Sequence, residues 1–154
     1  MEKVTYNKMQ VLMLDTGPGS QAFSVIEDGA VGKAITVKQP YASMLVTGKK
    51  KFEYRSWKLQ DDLTDSVIFI HAGKSVLKER VNVTDELYVR TLEDVNEEDL
   101  YGCIIGCVAF GKPEKTLRGY AWPVKSFRKL DEPIRNVKGH LGIWEFMVSK
   151  ESDK

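Results

Sequence analysis

Apolar and polar positions change period several times along the chain, and each change marks an element. Ala34 to Val37 reads as a strand. Pro40 suits the first turn of a helix, where its missing N–H costs nothing. Tyr41, Ala42, Met44, Leu45 and Val46 carry that helix, and Gly48 stops it by accepting the left-handed C′ conformation. Phe52 and Tyr54 then alternate with Glu53 and Arg55, the mark of a half-buried strand with its aromatic face toward the core. Val67 to Ile70 is an unbroken apolar run, as expected of a central strand. Helix is expected over Ser75 to Arg90, where Val76, Leu77 and Arg80 share a face, with Thr84 capping a second short helix near Asp85. Ile104 to Phe110, Tyr120 to Leu130 and Ile143 to Val148 complete the strands, with Pro123 suggesting an edge or bulge.

The first thirty residues read differently. Gln10 to Leu14 and Ala22 to Glu27 could be strands, the latter alternatively a helix edge, around the turn-rich Asp15–Ser20. The expected organisation is an N-terminal extension (1–31) packed on one domain (32–148), followed by a frayed tail (149–154). Strands interrupted by two helical stretches, without parallel βαβ alternation, imply an α+β fold. The expected form is a mixed β-barrel with flanking helices, since closure removes exposed edges.

A chain of 154 residues with 42% hydrophobic and 29% charged positions matches one ordinary globular domain. No apolar run approaches the roughly 20 residues needed to cross a bilayer, and the N-terminus lacks the pattern of a secretory leader. A cytoplasmic protein without membrane contact is the expectation. Cys103 and Cys107, four residues apart on one strand face, would lie roughly 13 Å apart, too far for a disulfide. No metal-ligand cluster accompanies them, so buried reduced thiols are expected, and neither metal nor other cofactor.

The net charge of +1 conceals two basic stretches, Lys49–Lys58 and Lys112–Lys138, and an acidic one containing Glu93, Asp94, Glu97, Glu98 and Asp99. The acidic stretch reads as a surface loop or helical turn. If the fold joins the basic stretches, one face favours polyanions; otherwise they are solvated surface. Lys50 sits where the helix hands over to the strand, and Glu53, Arg55 and Trp57 share one strand face. An acid between two bases positions them and lowers their repulsion.

Gln39-Pro40-Tyr41-Ala42, followed by Gly48-x-Lys50-x-x-Glu53-x-Arg55-Ser56-Trp57, closely resembles the ASCH domain signature. Ile70-His71-Ala72-Gly73-Lys74, Gly102 to Val108, Tyr120-Ala121-Trp122 and Val137 to Trp144 resemble the family's later segments in order. The resemblance covers about Gly32 to Phe146. It implies a PUA-like barrel with a cleft beside the first helix, lined by Lys50, Glu53 and Arg55, with Gln39, Trp57, Tyr120, Trp122 and Lys138 as rim residues. Cations for phosphates and rings for bases are the recipe for single-stranded nucleic acid. Trp57 and Trp122 have core packing as their alternative; Trp144 reads as core, and His71 as a hydrogen-bonded structural histidine.

The resemblance implies several functions. The first is binding of RNA or a nucleotide-like ligand in a positive cleft. A second is a metal-independent ribonuclease, with Glu53 as base and Lys50 and Arg55 stabilising charge. A third is an amidohydrolase acting on a modified nucleoside, although Glu53 stands where that relative's nucleophilic threonine aligns. A fourth is a protein-interaction module, with the N-terminal extension as a possible docking site for a partner.

Overall fold

The computed structural model describes residues 1–76 and 100–150, without the side chains of 74–76. In chain order the strands are β1 (Glu2–Thr5), β2 (Gln10–Gly17), β3 (Ser20–Ile26), β4 (Val31–Gln39), β5 (Phe52–Arg55), β6 (Val67–Val76), β7 (Ile104–Phe110), β8 (Glu114–Thr116), β9 (Gly119–Ile134) and β10 (Ile143–Ser149). Helix α1 (Tyr41–Val46) joins β4 to β5, and a 3-10 turn spans Asp61–Leu63. The main sheet runs β1-β10-β4-β6-β7-β9-β5, with β8 paired to β9, while β2 and β3 form a separate hairpin.

β7 is apolar and buried at every position because the main sheet is covered on both faces. On one face Phe69, Cys107 and Phe146 pack with Leu12, Leu14 and Ile26 of the hairpin. On the other, Ile35, Ile70 and Val108 pack with Ala42, Leu45 and Val46 of α1. α1 follows the sequence expectation closely: it begins after Pro40, and Gly48 beyond its end has a φ of 77°.

Four expectations are corrected. The sheet is not closed into a barrel among the described residues: β1 and β5 occupy opposite ends of the pairing order. Parallel pairing is present, between β4 and β6 across the α1 crossover and between β1 and β10. Of the helix expected over Ser75 to Arg90, the first two residues continue β6, and the remainder lies outside the described residues, as does the acidic stretch 93–99. The helical elements wholly within the described residues are α1 and the short 3-10 turn. Finally, Cys103 and Cys107 do not share a face. Cys103 precedes β7 and belongs to the α1-side core, Cys107 to the hairpin side, and the β7–β9 register shifts between Ile104 and Gly106. Neither cysteine forms a disulfide, and both are buried. Burial pushes the Cys107 pKa up to about 12, which leaves it protonated and unreactive.

The first thirty residues are integral to this architecture. β1 extends the main sheet, with Val4 opposite Val148, and β2 turns Gln10, Leu12, Leu14 and Thr16 inward with strict alternation. Lys150 N donates to Asp28 Oδ1 at 2.9 Å, tying the end of the described chain to this segment. No helix among the described residues is long and apolar enough to cross a membrane.

Leu12 is fully buried. Leu12→Ala is expected to lower unfolding free energy by ~2–5 kcal/mol in urea titration. A change near zero would mean that the hairpin only rests on the sheet.

Candidate functional site

β5 forms one end of the pairing order and is held by β9, with Glu53 opposite Trp122 and Arg55 opposite Tyr120. Its side chains alternate as expected, but the faces are reversed. Glu53 is 5% exposed and Tyr54 62% exposed. The charged face turns inward because Glu53 arrives already compensated. Lys50 Nζ lies 3.0 Å from Oε1, while Arg55 Nη2 and Nε lie 2.8 and 3.0 Å from Oε2. A buried carboxylate alone would be costly; paired and hydrogen-bonded on both oxygens it is tolerated.

Each cation is also fixed to the backbone. Lys50 Nζ donates to the Phe52 carbonyl, and its ammonium lies 5.6 and 5.1 Å from the ring centres of Tyr41 and Tyr54. Its main-chain N–H donates to Met44 O at 3.0 Å, extending the hydrogen bonding at the end of α1. Arg55 Nη2 donates to Thr36 O at 2.9 Å, joining β5 to β4.

Thr36 also organises the floor. Its Oγ1 lies 3.1 Å from His71 Nδ1 and accepts from Trp144 Nε1 at 3.2 Å. His71 Nε2 faces Val137 O at 2.7 Å. A carbonyl only accepts, so Nε2 carries the proton, and in the neutral ring Nδ1 accepts from the Thr36 hydroxyl. Burial holds the His71 pKa below its ordinary value, against the opposing pull of the Val137 and Gly102 carbonyls. Gly139 rests on this chain: a Cβ there would lie 2.6 Å from Thr36 Oγ1 and 2.8 Å from His71 Cε1.

Above this floor opens a cleft of about 1270 Å³. β4 contributes Thr36 and Lys38, α1 contributes Tyr41, β5 contributes Glu53 to Arg55, and residues 136–142 form the facing wall. Lys138 stands on that wall, as does His140, which meets Glu2 Oε2 at 3.1 Å and Trp144 edge-to-face at 5.3 Å. Among the described residues, no three His, Cys, Asp or Glu side chains gather as metal ligands.

Glu53, Arg55 and Lys138 therefore line the cleft, while Lys50 supports Glu53 from alongside. Gln39 and Trp122 are fully buried and are not rim residues. Gln39 Oε1 accepts from Ser43 N at 3.0 Å and its Nε2 donates to Ser43 Oγ at 2.8 Å, which secures the first turn of α1. Trp122 packs edge-on against Phe110 and Trp57, its centroid 4.8 Å from that of Trp57. Trp57 and Tyr120 are half-buried and outside the cleft lining. The tyrosine rings at the cleft are instead Tyr41, Tyr54 and Tyr101. Tyr41 could have been found from its place directly after Pro40, and Tyr54 from its alternation with Glu53, had the acidic face been assigned inward. Lys38, next to Gln39-Pro40, was also missed.

The ASCH domain family model matches residues 35–134, most of the chain from β4 to the end of β9. The chain belongs to the ASCH domain family. No curated protein matches it. The matched part of this ASCH domain holds Lys50, Glu53, Arg55 and His71, while the facing cleft wall lies beyond it.

Two outcomes follow from this geometry. Glu53→Gln leaves two crowded cations without their counter-charge and should cost about 3 kcal/mol, the low end for breaking a buried pair because both cations retain some solvent. Chemical denaturation checks it, and an unchanged midpoint would contradict the pairing role. For His71, the unfolded chain takes up a proton near pH 6.5 while the folded site resists it. Its stability contribution is thus complete above that pH and is lost as pH falls through the lower folded value. Urea midpoints from pH 7.5 to 5 should fall more steeply for the wild type than for His71→Gln; parallel curves would disprove it.

Proposed function

We propose that the cleft binds single-stranded RNA, the stretched and unpaired form in which bases can lie against aromatic rings. The observation that supports this most directly is the exposed Tyr54 ring beside Arg55, in a cleft that also carries the exposed lysines Lys38 and Lys138. Rings of this kind take bases of any sequence, and nearby cations take the phosphates. The volume of about 1270 Å³ exceeds the roughly 300–1,000 Å³ of ordinary small-molecule pockets and favours a strand segment over a lone nucleoside.

The occupancy of Glu53 favours binding over ribonuclease turnover. Both its oxygens already accept hydrogen bonds from Lys50 and Arg55, so its ready role is to hold the cations rather than to take a 2′-hydroxyl proton.

Filter binding of a single-stranded RNA oligomer tests the reading. Tyr54→Ala removes an exposed ring and should weaken binding by ~1–3 kcal/mol, with little effect on stability. Equal affinity of variant and wild type would eliminate stacking on Tyr54, and absence of RNA binding by the wild type would end the proposal.

A further inference from the structure

The cations of the cleft fall into two electrostatic classes. Lys50 and Arg55 are spoken for: they share one carboxylate, donate to backbone carbonyls, and keep side-chain exposures of 15% and 24%. A phosphate approaching them meets Glu53 as well, and few condensed counterions are displaced by charges already neutralised inside the protein. Lys38 and Lys138 differ. Both are exposed, both line the cleft, and neither has an ion-pair partner among the described residues. The nearby carboxylates of the cleft region are engaged elsewhere, Glu53 by its two cations and Glu2 by His140.

We infer that Lys38 and Lys138 are the phosphate grips of the cleft, and that the Lys50–Glu53–Arg55 cluster is the rigid support between them. This rests on the RNA-binding reading above and narrows the ligand class. Lys38 projects from the end of β4, whereas Lys138 sits on the wall after β9, so the two belong to separate elements. A polynucleotide strand offers each lysine its own phosphate, whereas a nucleoside monophosphate offers one for both to share. Polyphosphate contact releases counterions, and the salt dependence of affinity counts the contacts.

The test is the slope of log affinity against log salt for a single-stranded RNA oligomer. Lys38→Ala and Lys138→Ala should each reduce the slope magnitude by about 0.7, and the double variant by about 1.4. Lys129→Ala, exposed on β9 and outside the cleft lining, should leave it unchanged. If the wild type binds RNA and either cleft variant retains the full slope, the assignment of the grips is wrong while the binding reading stands. If Lys129→Ala reduces the slope as much as the cleft variants do, the attraction is diffuse and the assignment also falls. Failure of the wild type to bind RNA removes both.

Discussion

A single buried carboxylate decides how this cleft is built. Glu53 lies inside a protein where a lone charge would cost several kcal/mol, and it is stable there because Lys50 and Arg55 meet its two oxygens separately. That arrangement sets the orientation of β5. With Glu53 inward, Tyr54 must face outward, and its ring becomes available beside the cations. The same cations tie the end of α1 and the backbone of β4 to β5, so three segments are locked around one charge.

The rest of the fold serves to hold those three segments still. β4 and β6 lie in parallel at the middle of the sheet, with α1 packed on one face and the hairpin on the other. Thr36 connects this scaffold to the cleft twice. Its carbonyl receives Arg55 and its hydroxyl links His71 to Trp144. A satisfied polar chain of this kind, buried beneath the cleft, rigidifies the floor because each member has few alternative partners.

Much of this was legible in the residues. Pro40 and Gly48 marked both ends of α1, and the apolar run from Val67 to Ile70 announced a central strand. The cluster itself was legible through the spacing of Lys50, Glu53 and Arg55. What escaped was the sense of the alternation. Period two states which residues share a face but not which face is inside, and the ordinary preference of aromatics for the core pointed the wrong way at Tyr54. Trp122 failed for the complementary reason: its neighbours Phe110 and Trp57, which make it core, are distant in sequence or follow a bend. Long-range parallel pairing was equally hidden. Val4 meets Val148 only because the fold returns the chain end to its beginning, and nothing local in four residues signals that.

The cleft wall at 136–142 has a different standing from the floor it faces. It belongs to the connection between β9 and β10, past the residues that the family model matches, and meets the floor where Gly139 settles over Thr36 and His71 and where the Val137 carbonyl accepts from His71 Nε2. Among the described residues, the salt-linked cluster makes no hydrogen bond or ion pair to it. This makes the wall an exchangeable part. The exposed side chains of Asn136, Lys138, His140 and Leu141 can be swapped, lengthened or recharged with Gly139 and the buried Val137 kept as the seat, and the groove would acquire a new preference without any renegotiation of the charged interior. A chain built on the same floor could hold something else by editing those four positions.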